Sequence, residues 1–382
     1  MESNYSFKGG IEMRLKKFLV GNLFKLINNP QLDKYNFNFN KLSKFPYFTR
    51  TETNNGILGY VDYLDEEHKI PGNSLAVGMI SMRFHYMNHD FYAGQFTKTA
   101  IPKFECFNER IAMYFISIFN KKAEYYKRLL IRNFESAFLN DEIELPTKDG
   151  INPDFNYMND YIMELEQIHI SELEKERINK LNSYLKITEL DGYDLDDDDI
   201  QTLNTIINTK PIKIGELFEI KTGRDVIINA LENGDIPLVS HQCNNNGITK
   251  HIKRLTNRIL FNYKSTIALA DRGVFHATCQ NSDFHIGTRV KALIFKDGEK
   301  TENQRLFMVS IINKLQFLFA DYLTNATDKL PDLEICIPIT SDNKPDYNYM
   351  EKYIRAIKKM IIKEDMEYKD KVISKTKQIC EI

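Results

Sequence analysis

The chain has 382 residues, 42% of them hydrophobic, and is therefore long enough to form two or three domains with separate cores. Its formal net charge of −2 excludes a protein that binds nucleic acid nonspecifically over its whole surface, so any contact with DNA must come from local clusters. Five scattered cysteines without a CxxC pair favour neither a disulfide framework nor a zinc site. No apolar run approaches the roughly 18 residues of a membrane span, and we expect a cytoplasmic protein without a membrane partner.

In chain order, the first half shows a tight turn, a strand, a helix and a helical tail. Asn55-Gly56 indicates the turn because both residue types tolerate positive φ. The short apolar run 74–79 is typical of a strand, and the amphipathic pattern over 109–127 predicts a helix. The tail that follows has apolar residues spaced by four and three at Met158, Ile162 and Leu165.

An acidic run, residues 196–199, lies between the two halves. Adjacent carboxylates repel one another and gain nothing from burial, so the run predicts a solvated linker over 190–210. A metal site is the weaker alternative.

The second half shows the same kinds of element in the same order. Asn246-Gly247 indicates a turn, residues 266–270 a strand, and residues 304–322 an amphipathic helix. The apolar positions of its tail are Met350, Ile354, Ile357 and Ile361.

The order recurs because the chain contains an internal repeat. Residues 153–162 reappear as 345–354 with seven of ten positions identical, at a displacement of 345 − 153 = 192. Further pairs keep the order, among them 20–24 with 214–218 and 145–146 with 337–338. We therefore predict a mixed α/β (α+β) fold of two tandem homologous domains, over 1–151 and 211–342.

Each domain is followed by a predicted long helix, over 152–189 and 343–382. The apolar stripe of each helix could pack on its own domain. The alternative is that the two helices pair antiparallel, because a duplicated chain naturally folds with pseudo-twofold symmetry. A helix of roughly 30 residues is about 45 Å long, which corresponds to about 13 base pairs of DNA.

The motifs and their order resemble a known family. Residues 214–218 (IGELF), 236–239 (IPLV), 245–248 (NNGI), 270–275 (ADRGVF) and 284–291 (FHIGTRVK) are similar to the target recognition domain of type I restriction-modification specificity subunits. The first copy, with 47–50 (YFTR), 54–57 (NNGI) and 90–95 (DFYAGQ), resembles a variant often seen in type IIB systems. The resemblance covers nearly the whole chain, although no single motif is diagnostic.

The resemblance implies a non-catalytic subunit that reads a split DNA site, one half with each target recognition domain, the domains being separated by two antiparallel helices. Those helices would dock methyltransferase subunits, either separate or fused to a nuclease, and a restriction subunit could join them. The methyltransferase, not this chain, would bind S-adenosylmethionine. The helix residues expected to face partners are Met158, Ile162, Leu165, Met350, Ile354, Ile357 and Ile361.

The expected DNA-reading residues are polar side chains in loops after strands, since base edges are read by paired donors and acceptors. In the first domain they are Thr49, Arg50, Thr51, Asn54, Arg83, Gln95 and Lys98. In the second they are Ser240, His241, Gln242, Asn244, Arg272, Thr288, Arg289 and Lys291. The Asn-Asn-Gly positions more often shape a turn than contact DNA, and the two lysines fit phosphates better than bases.

Two differences between the copies predict an asymmetric target. Arg50 aligns with His241, and Gln95 aligns with Thr288. A perfect palindrome would contradict this expectation.

Enzymatic function is the first alternative, for instance a nuclease that acts alone through scattered carboxylates. The sequence has no P-loop, no G-x-S-x-G and no N/D-P-P-Y segment, and Asp332 with Glu334 lacks the lysine of a nuclease motif. His85 and His89 have i, i+4 spacing, but no third metal ligand stands near. A stand-alone DNA-binding protein without partners is the second alternative.

Overall fold

A computed structural model describes residues 14–40, 42–129, 131–271, 274–319 and 329–381. The chain divides into two compact units. Unit 1 takes the described residues up to Lys175 together with those from Ile373 onwards, and unit 2 takes Glu176–Val372. The domain boundaries expected from the sequence stay predictions.

The first module is the α/β part of unit 1. Its strands are β1 Arg14–Leu19, β2 Phe24–Asn28, β3 Phe45–Phe48, β4 Ile57–Val61, β5 Ser74–Gly78, β6 Arg83–Met87, β7 Tyr92–Ala93, β8 Thr97–Pro102 and β9 Glu142–Thr147. Its helices are α1 Val20–Leu23, α2 Glu109–Lys121, α3 Ala123–Lys127 and α4 Ile131–Leu139. The long helix α5, Phe155–Thr188, and the short helix α6, Asp197–Asn204, follow it.

The second module is the α/β part of unit 2. Its strands are β10 Thr209–Lys213, β11 Phe218–Thr222, β12 Asn233–Val239, β13 Ile248–Ile252, β14 Thr266–Asp271, β15 Phe275–Thr278, β16 His285–Ile286, β17 Val290–Phe295 and β18 Glu334–Pro338. Its helices are α7 Ile214–Leu217 and α8 Glu302–Asn313, and the long helix α9, Tyr347–Glu381, follows it.

The two modules have the same sheet topology, strand for strand. In the first, a four-stranded sheet has the order β2-β8-β5-β6, a three-stranded sheet the order β4-β3-β7, and β1 pairs with β9. In the second, the corresponding orders are β11-β17-β14-β15, β13-β12-β16 and β10 with β18. Even the parallel pairs agree, since β3 with β7 corresponds to β12 with β16. The predicted fold class, a duplicated mixed α/β chain, is confirmed.

The two predicted strands are confirmed as β5 and β14, whereas both predicted helices are shorter than expected. Helix α2 ends at Lys121 and α3 restarts at Ala123, because the backbone of Lys122 between them is not helical, with φ of −90° and ψ of 1°. The Lys122 side chain binds the Asp141 carboxylate at 2.8 Å. Helix α8 ends at Asn313 and continues as a 3₁₀ turn to Phe319. Residues 320–322 of that predicted helix lie outside the described residues.

Eight of the 22 described residues that are buried in the main core of the first module are aromatic, compared with five of 17 in the second. Phe24 makes edge-to-face contacts with four rings, of which the closest, Phe115, lies 5.0 Å away between centroids. Phe134 and Phe138 stack with a centroid distance of 5.5 Å. Such pairs contribute roughly 0.5–1.5 kcal/mol each beyond the area they bury. The second module fills the same space largely with Ile, Leu and Met side chains.

The sequence predicts that the tail helices either pack on their own domains or pair antiparallel. Both are right, the first for the start of each helix and the second for a later stretch. At the start, Met158 and Met350 are fully buried in the cores of their own modules. The expectation that these two methionines face a partner is therefore wrong. Further along, within unit 2, Arg177 pairs with Asp370 at 2.5 Å and Lys180 with Asp365 at 2.9 Å, so these stretches of α5 and α9 run antiparallel.

The buried seam of α9 differs from the stripe expected from the sequence. Ile362 and Met366 are 4% and 1% exposed, whereas Ile361 is 61% exposed. On α5, Leu165 is also exposed, at 43%. The expected stripe is therefore buried at Met350, in the core of the second module, but misplaced at Ile361, whose neighbour Ile362 is the buried residue.

The expectation that the acidic run is solvated holds for Asp196, Asp197 and Asp198, which are exposed, and is wrong for Asp199. Asp196 caps α6 and forms a capping box with Asp199, which consumes two of the backbone N–H groups left unpaired at a helix start. The Nζ of Lys359 on α9 donates to Asp199 and, at 3.1 Å, to Asp196. Asp199 and Lys359 are 4% and 5% exposed. Burial becomes favourable because a lysine from α9 neutralises the carboxylates.

We call the contact of Asp196 and Asp199, at the start of α6, with Lys359 on α9 the lock between α6 and α9. It shifts the pKa values of Lys359 and Asp196. Burial alone would lower the pKa of Lys359, but hydrogen bonds to Asp199 and Asp196 outweigh burial and raise it. The backbone N–H of Asp199 and then Lys359 lower the pKa of Asp196. Two more ion pairs, Lys352 with Asp198 at 3.0 Å and Lys363 with Asp194 at 3.9 Å, extend the contact along α9.

Candidate nucleic-acid interface

A surface cleft of about 290 Å³ in the first module brings together three of the predicted DNA-reading residues. Thr49 and Arg50 come from the loop after β3, and Gln95 comes from the loop after β7. The two loops are neighbours because β3 and β7 pair in parallel, with Phe48 opposite Ala93. Thr51 joins the group through its hydroxyl, 3.2 Å from that of Thr49.

The Asn-Asn-Gly segment after each of these loops is a structural clip. Asn54, Asn55 and Gly56 have φ of 50°, 51° and 74°, and Asn245, Asn246 and Gly247 repeat the pattern with 48°, 52° and 77°. At Gly56 a Cβ would lie 2.3 Å from the ring of Phe48, so only glycine fits. The Asn54 amide donates to the carbonyl of Ile57 at 2.9 Å. The expectation of a tight turn is confirmed, and the Asn54 side chain is occupied by it.

A residue that the sequence did not predict, Phe96, supports Arg50. The Arg50 guanidinium carbon lies 5.4 Å from the centroid of the Phe96 ring, and this ring is 42% exposed. Phe96 has φ of 58°, and Arg289, at the equivalent position of the second module, has φ of 59°. A non-glycine residue in this conformation is strained, and such strain concentrates at functional sites. Both modules therefore have a large side chain at the same left-handed backbone position.

A second feature missed from the sequence is the 3₁₀ turn Lys34–Asn36, whose residues also line the first cleft. Asp33 caps this turn, and the Tyr47 hydroxyl donates to the carbonyl of Leu32 at 2.7 Å, which fixes its position. Tyr35 is 83% exposed, and the Nζ of Lys34 lies 5.1 Å from its ring centroid. An exposed aromatic ring beside a cation is a group on which a nucleobase stacks.

The remaining two predicted residues of the first module are engaged within the protein. The Nζ of Lys98 donates to Asn28 and pairs with Glu135 at 3.0 Å, so its charge is already neutralised. Arg83 donates to the carbonyl of Asn120 at 3.4 Å, across the face of β6 that meets α2. These contacts argue against either residue as a contact to DNA.

In the second module, two of the four residues predicted in the loop after β12 are exposed. These two are His241 and Asn244. Ser240 is buried and its hydroxyl bonds that of Thr249, while the Gln242 amide donates to the carbonyl of Ile248 at 2.8 Å. Ser240 and Gln242 therefore shape the loop, and His241 and Asn244 can reach a ligand.

The other residues predicted in the second module have different environments. Lys291 is 3% exposed, pairs with the buried Asp271 at 3.4 Å and donates to Thr222 at 3.0 Å, so the expectation that it contacts a phosphate is wrong. Burial of an ammonium is tolerated here because a carboxylate is buried with it. The Thr288 hydroxyl accepts the backbone N–H of Val226 at 3.4 Å, and Arg289 is half-buried. Arg272 lies outside the described residues.

The described residues also bear on two other classes of site, metal centres and membrane spans. No group of three or more His, Cys, Asp or Glu side chains in that part of the chain could hold a metal ion. Burial lowers the pKa of His85 first, and the charge of Arg83 lowers it further. No helix within the described ranges is long and apolar enough to cross a membrane.

Comparison with known proteins identifies the second module. Residues 207–365 match the family described as the type I restriction modification DNA specificity domain. Over 359 residues the chain is 24% identical to the specificity subunit S.BcgI of the type II restriction enzyme BgcI from Heyndrickxia coagulans, which covers 92% of this chain and 96% of that protein.

Solved structures with the same overall span are more distant. The S subunit of a type I restriction-modification system from M. genitalium is 14% identical with a TM-score of 0.44, covering 100% of this chain and 97% of that one. The HsdS subunit from Thermoanaerobacter tengcongensis is 10% identical with a TM-score of 0.45, covering 97% and 96%. These two similarities are too low to bear on function.

Proposed function

Because this chain belongs to the family of restriction-modification DNA specificity subunits, we propose that its two modules read the two halves of one split DNA site. The observation that carries this proposal is the strand-for-strand repeat of topology. A domain of known DNA-specificity type occupies the second half, and the first half has the same sheets in the same order. A chain with two such modules can address two separate stretches of one duplex.

The two half-sites differ in this proposal. The first module presents Arg50, Gln95 and Tyr35, whereas the second presents His241 and Asn244. An arginine fork pairs with guanine, and amide side chains pair with adenine, so different side chains select different bases. The target is therefore asymmetric.

The subunit itself carries out no chemistry in this proposal and acts in the cytoplasm with partners. A methyltransferase that binds S-adenosylmethionine would modify each half-site after flipping the target base, and a nuclease, fused to it or separate, would cleave. Apolar side chains on the long helices support a docking role, because Leu165 and Ile361, together with Ile168, Ile178 and Ile379, are between 43% and 65% exposed. Such residues on a long helix offer a partner an apolar surface.

The test is methylome sequencing of a host that carries this chain with its methyltransferase, compared with the same host lacking this chain. We expect one methylated motif, split by a spacer and different in its two halves. Arg50→Ala and Gln95→Ala should relax the bases of one half only, by about 1–3 kcal/mol of discrimination for each lost bidentate contact.

Lys17→Gln is a suitable control for these variants, because Lys17 lies on β1 of the same module, is 64% exposed and, among the described residues, pairs only with Glu142, so the base preference should stay unchanged. A palindromic motif would contradict the asymmetry. Cleavage or methylation of DNA by the purified chain alone, with magnesium or S-adenosylmethionine, would contradict the non-catalytic role.

A further inference from the structure

The second module has a cationic cleft that none of the predicted readers fills. The cleft, of about 230 Å³, lies between the end of β11 and the loop after β13. Its charged and amide-bearing lining residues are Lys221, Arg224, Asn257 and Arg258, and its lining contains no acidic side chain among the described residues. Lys221 is paired with Glu219 at 2.5 Å, so the two arginines carry the uncompensated charge.

Arg258 is held in place but lacks an acceptor. Its Nη2 donates to the carbonyl of Asp225 at 2.8 Å, which ties the loop after β13 to the segment after β11. Its Nη1 is buried and has no hydrogen-bond partner within the described part of the chain. A buried N–H of a charged group left without an acceptor is costly, and native structures rarely leave one so. Arg258 therefore brings to the wall of the cleft a guanidinium charge that forms no ion pair with any described residue.

Arg224 supplies a second cation to the same cleft. It is exposed and forms no ion pair with any described residue. Two guanidinium groups and the Asn257 amide around one cleft suit a small oxyanion, because guanidinium N–H groups match the oxygen geometry of phosphate.

The first module lacks this site. By the strand correspondence, Ile27 and Pro30 stand where the second module has Lys221 and Arg224. Glu66 and Glu67 stand in the positions of Asn257 and Arg258, because Ile70 and Phe261 make the same isolated bridge. Those carboxylates would repel an anion, so the feature is specific to one module.

We propose that this cleft binds a backbone phosphate of the DNA, which fixes the position of the second module on the duplex. The inference rests on the proposed function and deepens it. A phosphate fits better than a base, since the Nη2 of Arg258 already donates to the Asp225 carbonyl and the side chain therefore lacks a free fork for guanine. Contacts of this kind position a protein without reading sequence.

The experiment measures binding of duplexes that carry the methylated motif, and of duplexes with a changed motif, across a series of salt concentrations. The full chain with its methyltransferase is compared with Arg258→Gln and Arg224→Gln. Each variant should weaken binding of both duplexes by a similar factor, about tenfold, and should reduce the slope of log K against log salt by about 0.9. Lys253→Gln is the control, because Lys253 is 69% exposed and paired with Glu232.

The outcomes separate the two proposals. If the unmodified complex prefers no sequence, the proposed function fails. If it binds its motif and both arginine variants keep the full salt slope, the phosphate site is wrong and the function stands. An arginine variant that changes the preference for one base would also overturn the phosphate site, because that arginine would then read sequence. If Arg258→Gln unfolds the module, Arg224→Gln decides, since Arg224 makes no described ion pair.

Discussion

The two modules share one topology but differ in the polar residues that they bury. In unit 1, every buried polar residue among those described is uncharged, for example Asn29 and Thr99. Unit 2 buries charged residues, namely Asp199, Asp271, Lys291, Lys300, Arg305 and Lys359. The same arrangement of strands therefore accepts an apolar or an ionic interior. What must be preserved is the register of the strands and the turn chemistry, not the type of core.

The largest expected effect comes from one pair of aligned lysines. Lys291→Met would leave Asp271, 2% exposed, buried without its ammonium, and we expect unit 2 to lose about 3–5 kcal/mol of stability. Lys98→Met is the matched variant in unit 1. Its partner Glu135 is 46% exposed, and the loss of such a pair should cost less than about 1 kcal/mol.

Amide hydrogen exchange, which resolves the stability of each unit separately, is the measurement for this pair. Equal losses in the two units would show that the difference in their interiors is not energetic. Lys291→Met with Asp271→Leu should recover much of the loss, because an apolar pair replaces the ionic one.

The next effect concerns the lock between α6 and α9, which has no counterpart among the described residues of unit 1. Lys359→Met leaves Asp199 buried and unpaired, and we expect α6 to lose about 3 kcal/mol of protection against exchange. The exposed pair offers a matched control, since Lys352→Met removes only the contact to Asp198. An unchanged α6 in Lys359→Met would show that the capping box alone holds it.

The pH dependence of the lock between α6 and α9 follows from the shifted pKa values of Asp196 and Lys359. The pKa of Asp196 is lowered, so its contribution is complete above the unfolded pKa of about 3.9 and is lost as pH falls through the lower folded value. The pKa of Lys359 is raised, so its contribution is complete below about 10.4 and is lost as pH rises past the folded value. The protection factors of the α6 amides, which correct for the intrinsic pH dependence of exchange, should therefore fall at both extremes and stay constant between them.

The smallest effect concerns the long helices, where α9 presents a buried and an exposed isoleucine side by side. Ile362→Ala should cost about 2 kcal/mol because its side chain is 4% exposed, whereas Ile361→Ala should stay within about 0.5 kcal/mol. Thermal unfolding of both variants measures this difference. If Ile361→Ala is as destabilising as Ile362→Ala, the seam follows the residues expected from the sequence and not those in the structure.

The sequence predicts the fold class and the duplication well here because a repeat supplies two independent readings of one fold, whereas the strand order of the sheets comes from the structure. The Asn-Asn-Gly clip is also visible in advance, since only certain residues tolerate three successive positive φ values. The environments of Lys98 and Lys291 are not visible in the sequence, although the two lysines align. By strand register the counterpart of Asp271 is Met79, so the lysines find different partners through tertiary contacts.

The partners of a charge run and the side chains that meet between loops also cannot be predicted from the sequence, because tertiary contacts determine them. The acidic run carries no sign that Lys359, 160 positions further along, will neutralise Asp199. Phe96 and Tyr35 are apolar or aromatic residues that a pattern assigns to a core, and only the meeting of loops places them beside Arg50. The sequence can suggest which loops bind, but the side chains that meet there depend on packing.

The clip after each reading loop has a consequence for how such proteins change. Three residues, not the loop itself, return the chain to its strand in both modules, with Gly56 and Gly247 at matching left-handed positions. In the second module the exposed side chains of the preceding stretch, His241 and Asn244, are not used to hold the loop, whereas Ser240 and Gln242 are. A change of DNA target then requires new codons for a few exposed loop positions, with both clips kept.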